Sequence, residues 1–253
     1  MDERSPIREP EWDDDVTRHF IDLGRYCIPE RELQTRLLID LVPERPGPQL
    51  LIELGCGEGA LAEGLLQRFP EYRLLALDGS PAMLELAAER LARFGTRAEC
   101  RRFSLGERDW RTPGTDALAV VSSLVLHHLE GPEKRTLFAD IHSMLVPGGV
   151  LAIADLVQPA HAQGMNLAAD AWDEAVRERA LQFDGCLDAF QRFEDQQWNT
   201  FRYPDPDDLD HPSGLFEQLR WLEQAGYTAL DVHWMRAGQA IFSGWKPEAD
   251  PTR

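Results

Sequence analysis

Short apolar runs and helix-spaced apolar stripes alternate along most of this chain. Gln49-Leu50-Leu51-Ile52-Glu53-Leu54 is an apolar run bounded by Pro46, Gly47 and Pro48, the pattern of a parallel strand buried on both faces. Arg73-Leu74-Leu75-Ala76-Leu77-Asp78, the stretches 98–104 and 117–122, and Val150-Leu151-Ala152-Ile153-Ala154-Asp155 read the same way. Between them the spacing predicts helices over 59–69, from Ser80 to about Gly95, and over 132–145. Ser80-Pro81 supplies an N-cap with proline at the first helical position, and Gly95 a stop. Two helices are expected before the first strand, at 14–25 and 30–43, the second with Leu33, Leu37, Leu38 and Leu41 on one face. A last helix fits 213–225, followed by strands near 228–235 and 239–245 that read as an antiparallel pair. Alternating strand and helix predicts an α/β fold with a parallel sheet covered on both faces.

The segment 165–210 departs from this rhythm. It carries Trp172, Phe183, Phe190, Phe193, Trp198, Phe201 and Tyr203, and its residues 167–198 fit one or two amphipathic helices. It is expected to roof a pocket at the sheet edge together with the N-terminal helices, its aromatics forming its own core or a substrate cage. The organisation expected is one structural domain with four parts. These are an arm and cap helices over 1–48, a core over 49–164, a helical lid over 165–210, and the rest of the core over 211–253.

Composition narrows the partners. Forty-four acids against 26 bases give a net charge of −18, which disfavours a nucleic-acid surface because phosphates are neutralised by Lys and Arg. No apolar run approaches the roughly 18 residues that cross a bilayer, and Met1-Asp2-Glu3-Arg4-Ser5-Pro6 lacks the apolar segment of a secretory signal. The expectation is a cytoplasmic protein, monomeric or homodimeric. Cys27, Cys56, Cys100 and Cys186 show no Cys-x-x-Cys pair, so reduced thiols are expected and no redox or zinc motif.

Glu53-Leu54-Gly55-Cys56-Gly57-Glu58-Gly59 follows the first strand and opens a helix, a turn that brings backbone close to a ligand. Gly55-x-Gly57-x-x-Ala60 with Asp78 satisfies a dinucleotide pattern as well, and a glycine-rich turn can also exist with no ligand. Glu53 at the strand end suits a cationic ligand better than a pyrophosphate. With Leu77-Asp78-Gly79-Ser80-Pro81-Ala82-Met83-Leu84, Leu126-His127-His128-Leu129 and Leu145-Val146-Pro147-Gly148-Gly149-Val150-Leu151, the loop closely resembles successive motifs of the class I S-adenosylmethionine-dependent methyltransferases. The resemblance spans about 50–155, and Trp245-Lys246 resembles the usual end of the sheet.

That resemblance implies a Rossmann-like, doubly wound, seven-stranded and mostly parallel sheet with an antiparallel closing strand. It implies S-adenosyl-L-methionine as cofactor, S-adenosyl-L-homocysteine as product, and a small-molecule methyl acceptor. Glu53, Gly55, Cys56, Gly57 and Gly59 would line the methionine and ribose part, and Asp78 would accept both ribose hydroxyls. Gly79 and Met83 would lie against the adenine. Ser104, beside Leu105, stands where the family places an acid for the adenine amine, with Glu107 or Asp109 as alternatives. Ser122 would approach the methionine moiety, and Arg25 or Tyr26 would reach its carboxylate; Arg202 and Tyr203 are weaker pocket candidates.

A base is needed only where the acceptor binds protonated. His127 is the expected base because its pKa lies near working pH, although the Leu-His-His-Leu run can equally serve to pack the following helix. His127, His128, Asp155 and His161 lack compact ligand spacing, so no metal is expected. Ser122-Ser123-Leu124-Val125 replaces the Asn/Asp-Pro-Pro-aromatic tetrad of enzymes that methylate amide or base amines, which points to a small molecule. Alternatives are a carboxy-S-adenosylmethionine-synthase-like or macromolecule-modifying enzyme, and a cofactor-binding protein without transferase activity.

Overall fold

The computed structural model describes residues 23–204 and 209–249. The arm at 1–15 and most of the helix expected at 14–25 lie outside the described residues; residues 23–27 are helical. Strands β1 (Leu50–Leu54), β2 (Arg73–Asp78), β3 (Ala98–Arg102), β4 (Ala117–Ser123), β5 (Leu145–Leu156), β6 (Thr228–Arg236) and β7 (Gln239–Trp245) form one sheet in the order β3-β2-β1-β4-β5-β7-β6. β1 through β5 pair in parallel, and β7 runs antiparallel to both β5 and β6. The expected Rossmann-like fold with an antiparallel closing strand is what the chain adopts.

The central strands are apolar along their length because both faces are covered. Leu51 of β1 belongs to a core with Leu38 and Val42 from the helix before β1 and its end, and Leu61, Leu65 and Leu66 from the helix after the glycine loop. Its neighbour Ile52 faces the opposite core, with Leu137, Phe138 and Ile141. The helices are α1 (Arg31–Asp40), α2 (Ala60–Arg68), α3 (Pro81–Leu91), α4 (Gly131–Met144), α5 (Ala162–Asp184), α6 (Asp188–Asp195) and α7 (Leu215–Gln224). α1, α2 and α3 cover one face, α4 and α7 the other. Ser80 caps α3 as its sequence predicts, its hydroxyl accepting from Met83 N at 3.3 Å.

Three boundaries differ from expectation. α3 ends at Leu91, and a 3₁₀ turn over Ala92–Arg97 contains Gly95 at φ 56°. β3 stops at Arg102 because it is the sheet's edge and mostly exposed, with no second neighbour to extend its ladder. β5 begins at Leu145 rather than Val150, since Gly148 N donates to Lys246 O (2.9 Å) and Lys246 N to Gly149 O (2.8 Å), pairing the glycines with the chain after β7.

The insertion forms α5 and α6 and a third core. Trp172, Val176, Phe190, Phe193 and Phe201 pack there with Leu23, Tyr26, Cys27 and Leu156. Trp172 Nε1 donates to Cys27 O (2.7 Å), and Arg179 donates to Arg25 O (2.8 Å) and pairs with Glu32. The aromatics therefore make a core, and that core grips the segment leading into α1. Phe193 is 1% exposed at its centre, so Phe193→Ala should cost about 3–5 kcal/mol through lost burial and a residual cavity. Urea denaturation followed by tryptophan fluorescence checks this.

Candidate cofactor and acceptor site

The chain turns from β1 toward β2 and β3 on one side and later inserts β4 on the other, so β1 and β4 flank a switch point where open α/β sheets bind ligands. The glycine loop leaves β1 at that point. Gly55 has φ 66°, and a Cβ there would stand 2.1 Å from Val125 Cγ2, so no side chain fits between this turn and the turn after β4. Gly59 caps α2 from the left-handed region at φ 83°. Gly57, by contrast, would project a Cβ into open space within the cavity mouth.

A cavity of about 750 Å³ lies over the strand ends, in the range of small-molecule sites. Glu53, Gly55, Cys56, Gly57, Asp78, Gly79, Met83, Ser104 and Leu105 all line it, as do the alternatives Glu107 and Asp109; Gly59 stands just behind, closing the turn. Asp78 Oδ2 accepts from Gly57 N (2.8 Å) and Oδ1 from Ser80 N (2.9 Å), which orients the carboxylate and leaves further lone pairs on both oxygens. Burial raises the Asp78 pKa against the opposing pull of those backbone donors. Glu53 is 2% exposed, and burial, then the Asp78 charge, hold its carboxyl well above the usual carboxylate range. Its Oε2 has no hydrogen-bond partner, and neither has the buried hydroxyl of Ser104.

The opposite wall comes from Ile28, Arg31, Gln34 and Thr35. Arg31 follows Glu30, which takes left-handed backbone at φ 49° and whose carboxylate accepts from Arg236 (2.7 Å) and Trp234 (3.0 Å). That anchoring holds an unfavourable backbone and sets α1 over the cavity. The sequence did not single out Arg31, because one arginine at a helix start carries no signal of its surroundings.

Four expectations are corrected. Arg25 and Tyr26 do not reach the cavity: Tyr26 Oη donates to Asp184 Oδ2 (2.6 Å), and Arg25, 59% exposed along its side chain, pairs with Asp184 at 3.3 Å. The alternation of β4 turns Ser122 into the sheet interior, where its hydroxyl lies 3.4 Å from Leu54 O, and Ser123 lines the cavity instead. His127 is buried behind the cavity wall and His128 lines it. None of residues 165–204 lines the cavity; Arg202 is bound to Asp170 and Asp173, and the roof is α1, with the insertion behind it.

His127 Nδ1 lies 2.5 Å from Asp155 Oδ1 at the end of β5, and its Nε2 3.5 Å from Asp210 Oδ1. His128 Nδ1 is 3.2 Å from the same Asp210 oxygen. Burial lowers the His127 pKa, and the charges of Asp155 and Asp210 outweigh it and raise it; His128 is lowered by burial and by His127. Lys134 Nζ donates to His211 O (2.5 Å) and Ser213 Oγ (2.8 Å), and burial brings its pKa down to about 8. His161 stands apart, capping α5. Asp210 had no signal in the sequence, being one acid in a strongly acidic segment.

Residues 51–149 match the family described as methyltransferase domain. The chain is 35% identical over 183 residues to a trans-aconitate 2-methyltransferase of Deinococcus radiodurans, covering 72% of this chain and 60% of that protein. It is 34% identical over 154 residues to one from Methylobacterium radiotolerans, covering 58% and 56%. An O-methyltransferase family protein from Burkholderia thailandensis has the same fold at a TM-score of 0.63 and 16% identity, over 94% of this chain and 60% of that one. This chain thus spans a little over half the length of these relatives. Its fold and its methyltransferase-domain motifs are similar to those of the class I S-adenosylmethionine-dependent methyltransferases.

S-adenosylmethionine is the group this family implies, and the residues present fit it. Glu53 offers one unpartnered buried carboxylate oxygen to a cationic ligand, Ser104 an unpartnered hydroxyl to a polar ring edge, and Gly57 open space where a ligand meets backbone. Asp78→Ala should weaken its binding by about 1.5–3 kcal/mol, the scale of a charged hydrogen bond, read by isothermal titration. Gly57→Val should bind more weakly still, and because Gly57 stands at φ 51° the branched side chain should also lower the melting temperature.

Proposed function

We propose that this protein is an S-adenosylmethionine-dependent methyltransferase whose acceptor is a small carboxylic acid. The observation that carries the first part is the cavity at the switch point with the unpartnered Glu53 Oε2 in its wall. The acceptor class is supported by the trans-aconitate methyltransferase relatives and by Arg31, a cavity-wall guanidinium that forms no ion pair with a described residue.

When bound, S-adenosylmethionine supplies a methyl group on a sulfonium, open to in-line displacement by an acceptor oxygen. Glu53 and Asp78 would hold the ligand's cationic and hydroxyl groups, and the Gly55–Gly57 backbone would let it approach without steric cost. Arg31 gives a carboxylate a planar, paired set of donors and draws it toward the cavity despite the protein's negative charge. A carboxylate is already anionic at neutral pH, so no base has to remove a proton. The remaining work is proximity and exclusion of water, with α1 as the roof and the insertion holding α1 in place. The His127 ring, confined between Asp155 and Asp210, orients the turn after β4 rather than meeting substrate; His128 is the ring at the acceptor side.

Incubation of the full chain with S-adenosylmethionine and a panel of small di- and tricarboxylates, trans-aconitate included, should yield a monomethyl ester and S-adenosylhomocysteine by mass spectrometry. Cofactor binding with no transfer across the panel, or transfer to neutral phenols and amines alone, would overturn the acceptor assignment. Arg31→Met should raise the acceptor KM on the order of tenfold or more, the scale of a lost charged contact. Glu53→Gln should raise the melting temperature of the ligand-free protein, since a buried acid beside the like charge of Asp78 no longer has to be accommodated. The same variant should bind S-adenosylmethionine more than about tenfold more weakly; thermal melts with and without ligand read both effects.

A further inference from the structure

We propose that His127, His128 and Asp210 form a site for one divalent transition-metal ion, such as zinc, cobalt(II) or iron(II), at the acceptor side of the cavity. The three residues bring ligand atoms within 4.8 Å of one another. Donors about 2.0–2.2 Å from a tetrahedral zinc ion stand roughly 3.4 Å apart. The separations here are 3.5 Å from His127 Nε2 to Asp210 Oδ1 and 3.2 Å from His128 Nδ1 to the same oxygen. The first is at the outer limit of a hydrogen bond but ordinary between two ligands of one ion.

The surroundings of His127 are those of a metal-bound imidazole. Its Nδ1 is engaged by the Asp155 carboxylate at 2.5 Å, which sets the ring's orientation and assigns Nε2 as the atom that faces Asp210 and His128. The Asp210 end is fixed by backbone: His211 N donates to His127 O at 2.6 Å. Lys134, the cation of the neighbourhood, is engaged by His211 O and Ser213 Oγ. Two imidazoles and one carboxylate suit borderline ions and leave coordination positions open. Because His128 lines the cavity, an open position there would take water or an oxygen of an anionic acceptor. The site rests on these side chains alone and stands whether or not the acceptor is a carboxylic acid.

The test uses the full chain, stripped with a chelator, dialysed and titrated with cobalt(II). One equivalent should bind with visible ligand-field absorption, and zinc should displace it. His128→Ala and Asp210→Asn should each weaken binding more than about 100-fold, and Asp155→Asn, which removes only the orienting carboxylate, about 10–100-fold. His161→Ala, at the cap of α5, should bind as the wild type does. Circular dichroism melts establish that each variant is folded. No absorption change in the wild type, or unchanged affinity in folded His128→Ala and Asp210→Asn, would overturn the site.

Discussion

Two carboxylates at the ends of neighbouring parallel strands, Glu53 on β1 and Asp78 on β2, are the constraint around which the cavity is built. Asp78 is compensated by backbone N–H groups of Gly57 and Ser80. Glu53 has burial and a like charge against it and an oxygen without a partner. A protein tolerates an arrangement of this kind at a functional site because a ligand relieves it. The glycines follow from the same demand: the turn after β1 must pass within contact of Val125 while leaving its inner side open.

The roof is built differently from its sequence pattern. α1 covers the cavity, held by the Glu30 carboxylate on Arg236 and Trp234 at one end of its approach and by Arg179 on Glu32 at its first turn. The long insertion places its apolar side on Leu23, Tyr26, Cys27 and Leu156, so its aromatics pack behind the roof rather than lining the site. Its return, at Asp210 and His211, is what touches the acceptor side, through His127 and His128. The insertion thereby packs against the segment leading into α1 and, where the chain returns, against the two histidines after β4.

The two histidines show how adjacent residues acquire opposite roles. A single 3₁₀ turn over Leu126–His128 sends His127 inward to the end of β5 and His128 toward the cavity. Asp210 bridges them with one oxygen. Asp155, Asp210 and Lys134 surround the two rings, with His127 buried and His128 and Asp210 partly buried.

What the amino-acid order determined by itself is local and periodic. Apolar runs such as Leu50–Leu54 and Arg73–Asp78, the Ser80 cap and the Gly55–Gly59 turn state strands, helix starts and the cofactor loop, because burial on both faces of a parallel sheet and backbone proximity to a ligand each demand particular residues at fixed spacing. The residues lining the glycine-loop side of the cavity were legible for that reason, Ser104 included, while Ser122 was misplaced by one step of strand alternation. The acceptor side was not. Whether Arg25 or Arg31 enters the cavity depends on how α1 is rotated by Glu30, Arg236 and the third core, and Asp210 meets His127 only because the chain returns there after two helices. Side chains contributed by separate elements carry no periodic signature, so only tertiary packing decides which of many arginines and aspartates are brought to the site.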